Sequence, residues 1–296
     1  MLESHLPKKL LGRTGLEVTQ LGFGAGQRLA PEESFSCEQA GRLLNAVLDA
    51  GINFIDTAPD YGPSEAQIGR HLAARRDEFF LATKCGCNID ASGTRLDPDH
   101  LWTAERLHRN IDQSLQRLRT DHVDVLLTHN AGSNDLQNGV GEALQAIKAA
   151  GKTRFLGAST TSPHLPALAR SGCFDVVQAP YSALERRHEE MMLAVAEMGI
   201  GVIVRGGIAV GHRAYGPIQE TWDRSGLERF AEGMNRYEFL LRFTLAHPAC
   251  HTTIVGTTNP KHLDSNVSAA HRGPLPPDLY ARAKLLLDAA GEQPEQ

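Results

Sequence analysis

Eight short apolar runs alternate with helical patterns along this chain, and this alternation constrains the fold more than any other feature. Several runs are almost continuous in Val, Ile, Leu and Phe, as expected of parallel strands buried on both faces. The segments between them repeat apolar residues every three or four positions, as amphipathic helices do. The order predicts an α/β fold, a (β/α)8 TIM barrel. The runs are 18–24, 52–57, 79–84, 123–128, 153–159, 175–179, 201–205 and 252–256.

Two additions to the barrel are expected at its ends. Residues 8–18, KKLLGRTGLEV, have the pattern of a small N-terminal β-hairpin with its turn at 13–15, placed to close the barrel floor. Residues 277–289 predict an extra C-terminal helix. No composition shift or linker divides 1–296, so we expect one domain with its core over about 8–290 and a frayed tail at 291–296. An open doubly wound sheet is the alternative, disfavoured because no GxGxxG opens a helix after a strand.

The clearest helical stripe ends at Leu118 and is predicted to begin near residue 97, with Asp97 as N-cap, Pro98 at the first helical position and Leu101 on the apolar face. Ser64 and Gln67 have the spacing of a capping box. The other predicted helices are 38–50, 140–150, 163–169, 187–198, 227–246 and 260–269.

Charge and cysteine content exclude several classes of protein. The net charge is −5 with no basic block, which disfavours a nucleic-acid partner. No apolar stretch approaches the roughly 18 residues of a membrane helix, and the start has no signal-peptide pattern. Five cysteines make a disulfide framework improbable and favour the cytoplasm. Cys85 and Cys87 are closer than usual zinc ligands and no second pair follows, so we predict loop thiols and no metal site. No protein partner is evident.

Polar side chains stand at the ends of three consecutive strands. Asp56 ends the second run and Tyr61 follows it, Lys84 ends the third, and His129 follows the fourth. Each alone has a structural explanation, such as helix capping for Asp56 or loop packing for Tyr61. Together they place an acid, a base, a phenol and an imidazole on one barrel rim, where the active sites of barrel enzymes lie.

The motifs around these residues resemble those of aldo-keto reductases, over a stretch from about Lys8 to Val267. They read FIDTAPDYG at 54–62, TKCG at 83–86, LLTHN at 126–130, FLGAST at 155–160, VVQAPYS at 176–182 and TTIVGTTNPKHLDSNV at 252–267. The resemblance implies a barrel that binds a nicotinamide dinucleotide without a Rossmann fold. It also implies a catalytic tetrad that falls on Asp56, Tyr61, Lys84 and His129.

The chemistry of these four residues agrees with that implication. A hydride that reaches a carbonyl carbon leaves an alkoxide that needs a proton, and a phenol with a pKa of about 10 is too weak an acid to be efficient at neutral pH. A nearby ammonium favours the phenolate, so Lys84 is expected to lower the pKa of Tyr61. Asp56 would hold Lys84, and His129 would donate a hydrogen bond to the carbonyl oxygen.

The resemblance also implies a set of cofactor contacts. Ser159 and Gln178 match positions at the nicotinamide carboxamide, and Arg205 stands where many members have a stacking aromatic. The resemblance favours NADP(H). NAD(H) stays possible, because His262 stands where members that bind the 2′-phosphate usually have an arginine. The remaining implied contacts are Gly206, Gly207 and Ile208 along the pyrophosphate, Gly256, Thr257 and Thr258 at a phosphate, and Ser265 and Asn266 at the adenine.

These features predict an NAD(P)H-dependent oxidoreductase that reduces small aldehydes or ketones, with substrate choice in loops 85–99, 130–139 and 209–225. Trp222 is one of the few large groups in these loops, whereas Trp102 is expected on a helix face. Two alternatives stay open. Lys84 is placed as the Schiff-base lysine of a barrel aldolase would be. The chain also resembles the potassium-channel β-subunits, which would make it a nicotinamide-binding regulatory protein.

Overall fold

The computed structural model describes residues 5–26, 36–90, 94–97, 99–137, 139–208, 218–231 and 233–295. Eight parallel strands close into a barrel in the order β10, β3, β4, β5, β6, β7, β8, β9. The closure confirms the predicted (β/α)8 barrel and rules out the open doubly wound sheet. The strands are β1 Lys8–Leu10, β2 Glu17–Thr19, β3 Leu21–Gly24, β4 Phe54–Asp56, β5 Phe80–Cys85, β6 Val123–His129, β7 Thr153–Ser159, β8 Val176–Pro180, β9 Gly201–Arg205 and β10 Thr252–Val255.

Helices cover the outside of the barrel and lie between successive strands. Among the described helices, none combines the length and apolar character needed to cross a membrane. The helices are α1 Cys37–Asp49, α2 Ser64–Leu72, α3 Ala104–Leu118, α4 Val140–Ala149, α5 Leu165–Arg170, α6 Glu189–Glu197, α7 Ile218–Ser225, α8 Leu227–Phe230, α9 Arg236–Ala246, α10 Pro260–His271 and α11 Pro277–Ala289.

The N-terminal hairpin closes the floor of the barrel, as predicted. Strands β1 and β2 pair antiparallel, and Leu11, Leu16 and Val18 are buried against side chains inside the barrel. At Gly12, which has φ +52°, a Cβ would lie 2.3 Å from the backbone nitrogen of Gly201. Only glycine therefore allows the turn to approach the start of β9 this closely. Because the hairpin fills one end of the barrel, a ligand site is expected at the other end, where the strands have their carboxyl termini.

The predicted start of α3 is wrong. The helix begins at Ala104, because the side chain of Thr103 accepts the backbone N–H of Arg106 as an N-cap. The chain before it runs back along the rim, where the backbone N–H of Leu101 donates to the carbonyl of Gly86 at 2.8 Å. Leu101 is consequently exposed rather than on the apolar face. Asp97 lies outside the helix, and Pro98 lies outside the described residues.

The predicted capping box at Ser64 is also wrong. Helix α2 begins at Ser64 itself, and its N-cap residue, Pro63, makes no side-chain cap. Ser64 Oγ donates instead to the carbonyl of Ala25 at 2.6 Å and lies 2.8 Å from Thr57 Oγ1. Its hydroxyl joins the segments that follow β3 and β4, so the residue serves the rim rather than the helix end.

The predicted helix 227–246 is two helices. Helix α8 ends at Phe230, and α9 begins after Asn235, whose side chain caps the N–H of Glu238. Within the predicted substrate loop 209–225, residues 209–217 lie outside the described part of the chain, and α7 was not predicted. Trp222 of α7 is buried and donates to Glu228 at 2.6 Å, so it belongs to the packing under this loop.

The extra helix α11 is present with the predicted bounds, and the chain beyond it is bound to the barrel. Arg186 donates to the side chain of Asp288 at 2.6 Å and to the carbonyl of Glu292 at 3.0 Å. The backbone N–H of Glu295 donates to the carbonyl of Arg187 at 3.1 Å. Residues 291–295, whose polar composition suggests fraying, are thus held by the loop after β8.

Candidate active site

The four candidate catalytic residues lie together at the carboxyl end of three neighbouring strands. Asp56 is the last residue of β4, Lys84 is the penultimate residue of β5, and His129 is the last residue of β6. Tyr61 follows Asp56 in the loop before α2. Parallel strands point their carboxyl ends the same way, so the strand order 4, 5, 6 brings these side chains to one part of the rim.

Lys84 and Asp56 form a buried ion pair. Lys84 Nζ donates to Asp56 Oδ2 at 2.7 Å and to the carbonyl oxygen of Thr57 at 2.8 Å. The side chains are 1% and 3% exposed. Burial lowers the pKa of Lys84, but the charges of Asp56 and Tyr61 outweigh burial and raise this pKa above its usual value. Lys84 is therefore a fixed ammonium at neutral pH.

Tyr61 lies between the ammonium and the imidazole. Lys84 Nζ is 4.9 Å from the centroid of the Tyr61 ring, and the rings of Tyr61 and His129 meet edge to face at 5.7 Å. The expected net lowering of the Tyr61 pKa is not found. Lys84 acts in the expected direction, but burial and the carboxylates of Asp56 and Asp60 raise the pKa by more. Tyr61 is a neutral phenol.

His129 is held on its inner side by two neighbours. Its Nδ1 is 3.2 Å from the Sγ of Cys87 and 3.3 Å from Asp60 Oδ1. Burial lowers the pKa of His129 more than the nearby Asp60 raises it, so the ring is neutral at pH 7. Asp60 has its pKa raised by burial, but His129, His100 and Arg95 outweigh this and bring it to about 2.

A hydrogen-bonded chain joins the tetrad to two of the residues predicted at the nicotinamide. Ser159 Oγ donates to Gln178 Oε1 at 2.9 Å, and Gln178 Nε2 donates to Asp56 Oδ1 at 2.8 Å. Both oxygens of Asp56 are thus engaged, one by Lys84 and one by Gln178. The sequence predicted these residues separately, and the barrel connects them through adjacent strand ends.

The glycines predicted along the phosphates lie where side chains do not fit. A Cβ on Gly207 would be 2.3 Å from Thr253 Oγ1, and a Cβ on Gly256 would be 2.5 Å from the carbonyl of Gly24. Arg205 and Gly206, both half-buried, come directly before Gly207 at the end of β9. Glycine is therefore required at both positions by close packing against neighbouring strands.

A cavity of about 320 Å³ lies beside these strand ends and brings together most of the residues predicted at the adenosine end. Sequence reasoning missed three of the residues that line it, Asn235, Tyr237 and Glu238, because they belong to the start of α9 rather than to a strand end. Thr258 lies between β10 and α10, next to the lining residue Thr257. The predicted residues in the lining are Ile208, Gly256, Thr257, His262, Ser265 and Asn266.

Comparison with known proteins identifies the family. The model of the aldo/keto reductase family matches residues 20–288, which is most of the chain. This chain belongs to the aldo/keto reductase family. It is 28% identical to L-galactose dehydrogenase of Arabidopsis thaliana, over 88% of this chain and 87% of that protein. It is 29% identical to an NADH-specific methylglyoxal reductase of Escherichia coli, over 66% and 64%.

A solved structure shares the fold of this aldo/keto reductase. The holo form of aldo-keto reductase AKR11C1 from Bacillus halodurans has a TM-score of 0.83 and 28% identity, over 95% of this chain and 96% of that one. The family membership supports, in general terms, an oxidoreductase that acts on carbonyl compounds with a nicotinamide cofactor.

The rim of this aldo/keto reductase also contains residues that sequence reasoning did not assign. Cys85 ends β5 and Cys87 is a buried thiol against His129, so neither is an ordinary loop thiol. His100 stacks on Trp102 at 6.1 Å and meets the His129 ring at 4.7 Å. Trp102 lies on the loop rather than on a helix, and a Cβ on Gly86 would be 2.5 Å from its ring.

Proposed function

We propose that this enzyme reduces aldehydes or ketones to alcohols, with Tyr61 as the proton donor. The observation that carries the proposal is the buried ammonium of Lys84, held by Asp56 and lying 4.9 Å from the centroid of the Tyr61 ring. The nicotinamide, when bound, supplies the hydride for the carbonyl carbon. Tyr61 gives its proton to the carbonyl oxygen, and the phenolate that remains is stabilised by Lys84.

The protonation states at neutral pH suit this order of events. The pKa of Tyr61 is raised, so the phenol is protonated at neutral pH, and the cation of Lys84, which acts to lower this pKa, is what favours release of the proton. The neutral His129 has one N–H; with this proton on Nε2 it is proposed to donate a hydrogen bond to the carbonyl oxygen and so orient the substrate, while Nδ1 accepts from the Cys87 thiol. Asp56 keeps Lys84 charged, and Gln178 takes the second oxygen of Asp56. Tyr61 thereby gains a cation that is present before the reaction begins.

The residues at the ends of β7 to β10 fit a nicotinamide dinucleotide. Ser159 and Gln178 would hold the nicotinamide amide, Arg205 would stack on its ring, and the bare backbone at Gly207 and Gly256 would pass the phosphates. The cavity near His262 has room for the adenosine. The test of fit is the lining of this cavity, in which the backbone of Gly256 and the side chains of Thr257 and Asn266 face the same space as His262.

For the cofactor we propose NADP(H), with use of NAD(H) as well. His262 and Lys261 would favour a 2′-phosphate. Glu238, however, lies in the same cavity and is paired with Arg242 at 3.4 Å and Arg272 at 2.5 Å. A carboxylate suits the free ribose hydroxyl of NAD and repels a phosphate. Fluorescence titration of the protein with NADPH and with NADH measures the two dissociation constants directly.

For the substrate we propose small polar carbonyl compounds. The relatives named above act on a sugar and on methylglyoxal. The surroundings of Tyr61 include Asp60, His100 and His129, which suit hydroxyl-bearing substrates better than long apolar ones. A panel that contains methylglyoxal, short aldoses and long-chain aldehydes, assayed through consumption of NADPH, tests this order of preference.

The aldolase alternative has little support, because Lys84 is a paired ammonium and a Schiff base needs the free amine. Borohydride treatment with a carbonyl substrate decides it, since a covalent adduct on Lys84 would replace the reductase proposal. Regulatory binding without turnover is the other alternative. Tight NADPH binding with no NADPH consumption across the panel would favour it. For location we propose a reducing compartment such as the cytoplasm, which agrees with five free thiols.

A further inference from the structure

Four side chains converge beside the proposed substrate pocket with the atoms that bind soft metals. Asp60, Cys87, His100 and His129 each offer one ligand atom, and these atoms lie within 4.8 Å of one another. They come from three separate parts of the chain: the loop after β4, the loop after β5 and the end of β6. Cys87 and His129 are in contact at 3.2 Å, and His129 and Asp60 at 3.3 Å.

We propose that these four residues bind one Zn²⁺ ion, and that the bound ion inhibits the enzyme. Zinc bonds of about 2.0–2.3 Å to N, O and S in a tetrahedron place neighbouring ligand atoms about 3.3–3.6 Å apart. The two distances at His129 already have nearly this length. The remaining ligand atoms lie within 4.8 Å of one another and would move closer together as the ion binds.

The ligand set selects zinc over the common hard cations. One thiolate, two imidazoles and one carboxylate suit Zn²⁺, whereas Mg²⁺ prefers oxygen ligands and retains its waters. Binding converts the Cys87 thiol into a thiolate, so the S–H proton is released to solvent as the sulfur–zinc bond forms. No oxidation or reduction occurs in this step.

A second observation shows that the cluster has unused ligand capacity. Among the described residues, His100 Nε2 is a buried atom without a hydrogen-bond partner, and Asp60 Oδ1 has only its 3.3 Å contact with His129 Nδ1. Asp60 is itself 6% exposed. Buried polar atoms without partners are uncommon because each is costly to desolvate. A cation between them would satisfy both atoms at once.

The site would be inhibitory because of where it lies and how it closes. Four protein ligands fill the coordination of zinc and leave no open position for a substrate or water. The His129 ring would be fixed to the ion through Nδ1 and could no longer adjust toward the carbonyl oxygen that it is proposed to orient. This consequence rests on the proposed reductase function, but the binding of zinc does not.

Binding is tested on the full-length protein without any turnover. Zinc is titrated in competition with a chromophoric chelator, and Co²⁺ is added separately to record the absorption of a thiolate-bound tetrahedral ion. Wild type is expected to bind one ion and to give that absorption. Cys87→Ser should lose the absorption and bind zinc at least about tenfold more weakly, the smallest loss typical of metal-site mutations. Cys173→Ser, which removes a half-buried thiol far from the rim, is the matched control and should bind as wild type does.

His100→Ala is a second variant, needed if Cys87→Ser does not fold, and should also weaken zinc binding. Equal affinity of wild type, Cys87→Ser and His100→Ala, with no thiolate absorption, would overturn the site. Inhibition is measured separately: zinc should lower NADPH-dependent reduction, a chelator should restore it, and Mg²⁺ should have no effect. Zinc binding without any reductase activity would refute the proposed function and keep the metal site. Reductase activity without zinc binding would do the reverse.

Discussion

Two of the protein's buried ion-pair systems, one at the rim and one under the C-terminal helix, differ in what the buried cation contacts. At the rim, Lys84 has two acceptors, Asp56 and the carbonyl of Thr57, among the described residues. An ammonium has three N–H groups, so these two bonds leave one, and the centroid of the Tyr61 ring lies 4.9 Å from the same nitrogen. Under α11, Arg186 donates to Glu189 at 2.6 Å, to Asp288 and to backbone carbonyls.

The difference indicates what each buried charge does. The guanidinium of Arg186 is surrounded by acceptors that tie the loop after β8 to α11, and Glu189 also pairs with Lys284. The charge of Arg186 therefore serves to hold the loop after β8 against α11 and the residues that follow it. The ammonium of Lys84 also lies close to Tyr61, so its positive charge acts on the phenol as well as on Asp56. Burial alone therefore does not mark a functional charge, whereas a buried charge beside a side chain that can transfer a proton is a candidate for one.

The largest effect is expected from Tyr61→Phe. Removal of the phenol should lower kcat by about 10²–10⁴-fold, the usual contribution of a general acid, while NADPH affinity and the unfolding temperature stay near wild type. Tyr280→Phe, which removes a phenol beside Tyr181, serves as the control and should keep its turnover. Steady-state kinetics and a fluorescence titration check both statements. Retained turnover in Tyr61→Phe would refute its role as proton donor.

Arg186→Met tests the other system and should affect stability rather than chemistry. The change leaves Glu189 with Lys284 in place of two cations and removes the bonds of Arg186 to Asp288 and to Glu292, so the free energy of unfolding should fall by up to about 3–5 kcal/mol. At a temperature where the variant is folded, kcat should match wild type. Arg187→Met, which breaks the more exposed pair with Glu295 at 3.2 Å, should cost less than about 1 kcal/mol. Urea unfolding measures both, and similar losses would contradict the comparison.

Acid should lower the free energy of unfolding through two buried histidines, His188 and His247. Burial lowers the pKa of His188 and of His247 to about 4, below the unfolded value of about 6.5. The unfolded chain binds more protons in this window, so stability is complete above about pH 6.5 and falls as the pH drops toward 4. Each histidine contributes at most about 1.4 kcal/mol per pH unit. Both rings accept backbone N–H groups, from Ser162 and from Ala249.

Urea unfolding at pH 7, 6 and 5 measures this slope. His247→Gln keeps an acceptor but does not titrate, so it should flatten the pH dependence between 7 and 5. An unchanged slope would show that His247 does not carry the effect.

The smallest effect is expected from Glu238→Gln. Loss of the carboxylate in the cavity should improve NADPH binding relative to NADH by about three- to tenfold, or about 1 kcal/mol, because repulsion of a 2′-phosphate is removed. The ratio of the two dissociation constants is the measurement. A ratio that does not change would mean that the phosphate lies away from Glu238.

Sequence reasoning succeeded where the information was local or periodic. Asp56 and Lys84 were found because each ends an apolar run, and α11 because its pattern is regular. It failed at the start of α3, because Thr103 and Asp97 are both acceptable N-caps and contacts with Gly86 decide between them. It failed at Ser64 for the same kind of reason, since the hydroxyl bonds to Ala25, a residue distant in the chain.

The sequence by itself determined the barrel, the hairpin below it and the residue types at the strand ends, because the period of apolar residues and the nature of strand-end side chains are properties of neighbouring positions. Only the tertiary structure decided that Cys87, His100 and Asp60 meet at His129, and that Glu238 enters the cavity beside His262. It also decided the direction of the Tyr61 pKa, which depends on the sum of burial and of charges from several segments. Each of these features depends on side chains that are distant in the sequence and are brought together by folding, so no local sequence pattern can reveal it.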